Sequence, residues 1–91
     1  MICLNHNQQA IYNAIVNHIA TMQPGDFCLD KAFYNQLQVS VIKADRLIIG
    51  KYFKEQVAIN AVSKVRFHYI FSNCLRCGYK DSSNKIHYEK Y

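Results

Sequence analysis

Apolar residues recur with a helical period through the first part of the chain. An aliphatic seam with four-residue spacing consists of Ile11, Ile15 and Ile19. This seam predicts a first helix over about residues 7–23, with Asn5 or Asn7 as its N-cap. Pro24 and Gly25 are expected to end it, because proline cannot continue the helical hydrogen bonds and glycine can close a helix end.

Two further helical segments follow a short strand expected at residues 26–29. Asp30 is a suitable N-cap for a helix over about residues 31–38, and Ser40 for a third helix over about residues 41–56. The residues of the second helix expected to pack inward are Ala32, Phe33 and Leu37. At about 100° per residue, the apolar arc of the third helix holds Val41, Ile42, Ile48, Ile49, Tyr52 and Phe53. The opposite arc is basic and holds Lys43, Arg46, Gly50 and Lys54, with Lys51 at its edge.

Beyond residue 56 the apolar period shortens to two, which is typical of a half-buried strand. In residues 64–71 the side chains expected on the inner face are Val65, Phe67, Tyr69 and Phe71. The outer face carries Lys64 and Arg66, and residues 85–88 are expected to form a returning strand. The sequence therefore predicts an α+β fold with three helices and a C-terminal β-hairpin over about residues 62–91. Ninety-one residues build one core, so residues 1–91 are expected to form a single domain.

The charge of +5 is unevenly distributed along the chain. Residues 1–40 hold one Lys and two Asp, a net charge of −1, whereas residues 41–91 hold ten Lys or Arg and four Asp or Glu, a net charge of +6. The six carboxylates form no recognisable acid/base pair, and there is no phosphate-binding loop or nucleophile motif, so we do not expect an enzyme. We expect neither a signal peptide nor a membrane span. The expected location is cytoplasmic.

The corner between the second and third helices has a distinctive set of residues: Ala32, Leu37-Gln38-Val39-Ser40, Ala44, Arg46 and Ile48. This pattern resembles the corner of winged helix-turn-helix DNA-binding domains, and the element order extends the resemblance over about residues 8–72. The chain departs from the family at Gln38, where these domains usually have a glycine in the left-handed conformation. A non-glycine residue there costs ~1 kcal/mol or forces a different turn.

The resemblance implies a three-helix winged helix-turn-helix domain in which the third helix reads DNA and the hairpin forms a wing. Lys43 and Arg46 would meet base edges in the major groove. The residues expected to meet phosphates are Lys51, Lys54, Lys64 and Arg66. The function implied is that of a small transcriptional regulator with double-stranded DNA as its partner, acting either as a monomer or as a homodimer. The small size and the composition rich in Asn, Gln, Tyr and Lys suggest a regulator of the kind common in phages and mobile elements.

Two alternatives use the same residues. The first alternative is a protein-binding inhibitor with this fold, for example a phage protein that blocks a host CRISPR nucleoprotein complex. The basic face is also compatible with ordinary solvation and no ligand, because phosphate attraction and solvation favour the same side chains. Salt-dependent binding to duplex DNA distinguishes these cases.

Cys74 and Cys77 form a Cys-x-x-Cys-Gly motif that resembles half of a zinc-ribbon knuckle. Two thiolates at this spacing can hold one Zn²⁺, the only cofactor that the sequence suggests. The two ligands still needed are either Cys3 and His6 or His68 and His87. The alternative is a pair of free thiols in a hairpin turn, and Cys28 is interpreted as a small buried hydrophobic residue.

Overall fold

The computed structural model of the chain describes residues 3–68 and 86–91. Within them, three helices and a small three-stranded antiparallel sheet form a mixed α+β fold, in agreement with the predicted class. The elements are α1 (His6–Thr21), β1 (Gly25–Phe27), α2 (Lys31–Gln36), α3 (Lys43–Ala58), β2 (Val65–Phe67) and β3 (Tyr88–Lys90). The predicted inward residues Tyr69 and Phe71, and most of the predicted hairpin, lie outside the described residues.

Helix α1 begins with a reciprocal cap at Asn5, which is one of the two cap residues predicted. The Asn5 side chain accepts from the backbone N–H of Gln8 at 2.7 Å, and the Gln8 side chain accepts from the N–H of Asn5 at 3.0 Å. These two bonds satisfy donors that a helix start leaves without intrahelical partners. At the other end α1 stops before the proline, but Gly25 does not close the helix: it is the first residue of β1, and Met22 is the C-cap.

Helix α2 is capped by Asp30, as predicted. The Asp30 carboxylate accepts from the backbone N–H of Phe33 at 3.0 Å. Phe33 is buried, but the prediction that Ala32 packs inward is wrong, since Ala32 is exposed and Tyr34 is buried instead. The helix has only six residues, so burial of two consecutive aromatic rings, rather than a long apolar stripe, holds it on the core.

The segment between α2 and α3 is extended, and Ser40 is not the cap of α3. Val39 and Val41 are half-buried against the core, while Ser40 and Ile42 are exposed. This alternation is the two-residue period of extended backbone, so α3 begins only at Lys43, with Ile42 in the N-cap position and no side-chain hydrogen bond. Gln38 has a φ of +57°, so the corner keeps the left-handed conformation without a glycine.

The buried seam of α3 follows a four-residue spacing through Ile49, Phe53 and Val57. Two predicted inward residues are exposed: Ile42 by 68% and Ile48 by 37%. Ile42 precedes the helix, and Ile48 lies about 100° from Ile49 around the helix axis, which turns it away from the core. Near its start, α3 is joined to α1 by a hydrogen bond from Gln8 Nε2 to Asp45 Oδ1 at 2.9 Å.

The sheet has the order β1-β3-β2, so the C-terminal strand is central. Phe27 and Phe67 flank Tyr88 on its inner face, with ring centroids 5.6 and 5.7 Å from the tyrosine ring. Phe53 of α3 meets the same ring edge to face at 4.8 Å. The inward orientation predicted for Val65 is confirmed. A returning strand pairs with β2 as expected and is described as Tyr88–Lys90, whereas residue 85, where it was predicted to begin, lies outside the described residues.

Lys90, on the central strand, is buried and reaches the C-terminal end of α1. Its ammonium donates to the carbonyl oxygens of Ile19, of Ala20 at 3.0 Å and of Met22 at 2.6 Å. The last carbonyls of a helix lack intrahelical donors and carry partial negative charge. The lysine therefore neutralises the end of α1 and connects it to the sheet.

Candidate nucleic-acid interface

A groove of about 460 Å³ runs along the outer side of α3. Its other wall is formed by the chain that follows β1, residues 28–30, and by Ile86 and Tyr88 of the C-terminal segment. The residues that α3 contributes are Arg46, Leu47, Gly50, Lys51 and Lys54. The helix thus buries one face in the core and presents the opposite face to an open groove.

The basic residues of this groove are arranged by the helical period. Arg46, Gly50 and Lys54 follow one another at four-residue intervals and form one row along α3, with Lys51 beside it. A Cβ added at Gly50 would meet nothing within 4 Å. The glycine therefore leaves a gap in the row, through which a ligand can approach the helix backbone closely.

The groove is predominantly positive. Arg46, Lys51 and Lys54 line it together with one carboxylate, that of Asp30, which already accepts the capping hydrogen bond of α2. Burial raises the pKa of Tyr34, and the charge of Arg46 acts in the opposite direction. Among the described residues the Tyr34 hydroxyl has no hydrogen-bond partner.

Only some of the residues predicted to bind nucleic acid lie together in this groove. Lys43 is exposed in the first turn of α3, but Lys64 lines a separate cleft near the end of α1. Arg66, on the outer face of the sheet, donates from Nε to Glu89 Oε1 at 2.6 Å. Its guanidinium also lies 4.6 Å from the ring centroid of Tyr91, so Arg66 already has an ion pair and an aromatic contact within the chain.

The described residues include only some of the predicted metal ligands. Cys74 and Cys77 lie outside the described residues, and Cys3 and His6 are exposed at the start of the chain. His68 Nδ1 faces two carboxylates, Asp26 Oδ1 at 3.4 Å and Glu89 Oε2 at 3.7 Å. These three side chains have ligand atoms close enough together for a cation, but Glu89 also binds an arginine, which competes for the same carboxylate.

Two further features were not predicted from the sequence. Leu47 is 58% exposed in the middle of the basic face of α3, although no spacing assigned it to either arc. Cys28, taken as a buried hydrophobic residue, is half-buried, with its Sγ 3.4 Å from Nδ1 of His87. The two residues are 59 positions apart in sequence, so only the strand pairing brings them together.

Comparisons with family models, with curated proteins and with solved structures found no match for this chain. Among the helices of the described residues, none is long and apolar enough to cross a bilayer. A span needs about 20 predominantly apolar residues, whereas α1 and α3 have 16 residues each. The functional assignment therefore rests on the residues of α3 and its groove.

Proposed function

We propose that this protein is a winged-helix DNA-binding protein that acts as a small transcriptional regulator. The observation that carries the proposal is the basic row of α3, which faces an open groove while the opposite side of the same helix packs in the core. The order of the elements supports it, because helix, short strand, helix, helix and a C-terminal strand pair is the order on which the resemblance to winged helix-turn-helix domains was based.

In this proposal α3 lies in the DNA major groove, which is wide enough to admit a helix. Lys43 and Arg46, in the first turn, reach base edges. Arg46 is the stronger reader, because a guanidinium can donate two parallel hydrogen bonds to O6 and N7 of guanine. Gly50, one turn later, lets the helix backbone approach the DNA.

Phosphate contacts come from lysines further along the helix and from the sheet. Lys51 and Lys54 lie in the same groove as Arg46, and Lys64 is exposed where the chain enters β2. Arg66 contributes less than the sequence suggested, because contact with a phosphate competes with its bond to Glu89. Neutralised phosphates release counterions, so binding is expected to weaken steeply as salt increases.

A gel-shift series on random duplex DNA tests whether the protein binds DNA. We expect affinity in the micromolar range at 50 mM salt, falling steeply by 200 mM. Absence of binding at the lower concentration would refute the proposal.

Two matched substitutions test whether α3 reads sequence. After selection of a preferred site from a random duplex pool, Arg46→Ala should weaken binding to that site by about 1–3 kcal/mol and affect random DNA much less. Lys54→Ala should weaken both about equally and reduce the salt slope by about one. Thermal unfolding of both variants serves as the folding control. If the two variants behave alike on both DNAs, α3 attracts DNA without reading it.

We further propose that Cys74 and Cys77 bind Zn²⁺, supported by their Cys-x-x-Cys-Gly spacing alone. Elemental analysis of protein prepared without chelator is expected to give about one equivalent of zinc. Less than about a tenth of an equivalent would refute zinc binding at these thiols.

Leu47 favours a second candidate function, that of an inhibitor which binds a protein such as a host CRISPR nucleoprotein complex. An apolar side chain that is 58% exposed among cations suits a partner surface that is both apolar and acidic. If the protein is such an inhibitor, Leu47→Ser should abolish inhibition in an interference assay. The unaltered protein should then not bind random duplex DNA at 50 mM salt. Binding of duplex DNA with the expected salt slope would favour the regulator instead.

A further inference from the structure

Leu47 lies in the middle of the basic face of α3 and is 58% exposed. By the helical period it shares a row with Lys43, one turn before it, and with Lys51, one turn after it. Gly50, three residues further on, has no side chain to cover the leucine, and a Cβ added there would meet nothing within 4 Å. The face therefore presents one apolar side chain with cations on either side of it.

The surroundings of Leu47 restrict the kind of partner that this face fits. A partner that reaches Leu47 must also come close to Arg46, Lys51 and Lys54, which line the same groove. Its surface must be anionic around the point of contact, because a purely apolar partner would remove water from the cations without pairing them. At the point of contact itself the partner must be apolar, since a leucine has no polar group to offer.

The major groove of DNA combines these two properties. The phosphates of both strands border it, and the C5-methyl group of thymine is the apolar group that the base edges present there. Consecutive bases of one strand are about 3.4 Å apart along the axis, and consecutive Cα atoms are about 3.8 Å apart. Arg46 and Leu47, which are adjacent in the chain, can therefore reach neighbouring base pairs.

We propose that Leu47 is a specificity-determining residue that contacts the methyl group of a thymine beside the base pair read by Arg46. The inference rests on the proposed DNA-binding function and specifies what α3 recognises. Arg46 selects a G·C pair through hydrogen bonds, and Leu47 selects an adjoining A·T pair through an apolar contact. Burial of one methyl group contributes less than a bidentate arginine contact, so its loss should weaken binding by about fourfold.

Replacement of thymine by uracil tests this contact, because uracil lacks only the methyl group. After selection of a preferred duplex site from a random pool, each thymine of that site is replaced singly, and the affinity of the full chain is measured. We expect at least one position at which the replacement weakens binding by about fourfold. Leu47→Ala should bind the thymine site at least fourfold more weakly than the unaltered chain, by about the same estimate, and should not respond to uracil at that position.

Ile59→Ala is the matched control. Ile59 is an aliphatic residue, 70% exposed, that lies just beyond α3 in a cleft separate from the groove. This variant should bind the selected site as the unaltered chain does and should keep the full effect of uracil. Thermal unfolding of Leu47→Ala and Ile59→Ala checks that both variants are folded, which is expected because both side chains are exposed.

Two kinds of result would overturn the inference, and they differ in what they leave standing. The chain binds duplex DNA but no preferred site emerges, no uracil matters, or the uracil effect persists in Leu47→Ala: Leu47 then reads no thymine, and DNA binding by the basic row remains. If no duplex DNA is bound at 50 mM salt, the proposed function fails together with the inference, and the exposed leucine points to a protein partner.

Discussion

Replacement of Lys90 by methionine removes the ammonium that caps α1 while keeping a long, unbranched side chain. A hydrogen bond to a charged group contributes about 1.5–3 kcal/mol, and a cation at a partly buried helix C-terminus contributes up to ~2 kcal/mol. The contributions do not add, because one ammonium is shared among three carbonyls, Ala20 is exposed to water, and burying the charge has its own cost. We expect Lys90→Met to lower the free energy of unfolding by about 2–4 kcal/mol, because it leaves helix-end carbonyls without their charged donor.

Urea denaturation followed by far-ultraviolet circular dichroism measures this loss. A chain of 91 residues has a total stability of about 5–14 kcal/mol, so the midpoint should move by one to several molar with little change in slope. Lys51→Met is the matched control, because Lys51 is exposed and methionine has nearly the same helix propensity as lysine. Equal midpoints for the two variants would refute the assignment of Lys90 as a helix cap.

Other substitutions test the burial of Tyr34 and the open face of α3 at Gly50. Tyr34→Phe removes a buried hydroxyl that has no hydrogen-bond partner among the described residues. The free energy of unfolding, measured by thermal or urea unfolding, should therefore stay unchanged or rise by up to ~1 kcal/mol, and a loss above ~1 kcal/mol would contradict this. Burial raises the pKa of Tyr34 and of Tyr12 above the ordinary 10.0, so the contribution of these two phenols to stability should be constant below pH 10 and decrease as pH rises from 10 through the raised folded pKa. The loss above pH 10 should be smaller in Tyr34→Phe; an equal slope in both proteins would count against the burial effect. Gly50→Ala should raise helix stability by ~1 kcal/mol yet weaken DNA binding, and unchanged DNA affinity would show that no close backbone approach occurs at this position.

Local hydrogen bonding made the helix starts predictable. Asn5 and Asp30 cap α1 and α2 because the acceptor and the backbone N–H that it needs are three residues apart, a relation that the sequence contains in full. The start of α3 was placed too early for a related reason. Val41 and Ile42 fit the apolar arc of a helix, but Val39 and Val41 are the residues that pack on the core, and burial of alternate residues keeps this segment extended.

Long-range relations account for what the sequence did not predict. The basic row of α3 depends only on helical period, so most of it was identified in advance. The ion pair of Arg66 with Glu89, and the contact of Cys28 with His87, depend on strand register between segments far apart in the chain. Periodicity indicates which face of a strand is buried, but not which residue of another strand stands opposite.

The central place of β3 determines when this chain can finish folding. β1 and β2 make no ladder with each other in the described sheet; each pairs only with β3, which is supplied by residues 88–90. During synthesis on a ribosome β1 and β2 therefore remain unpaired with β3 until the polypeptide has been extended through residue 90 and this segment has left the exit tunnel. Contacts of such large sequence separation form late and slowly. A nascent chain that stalls before β3 emerges would expose two strand edges at once and be prone to aggregation.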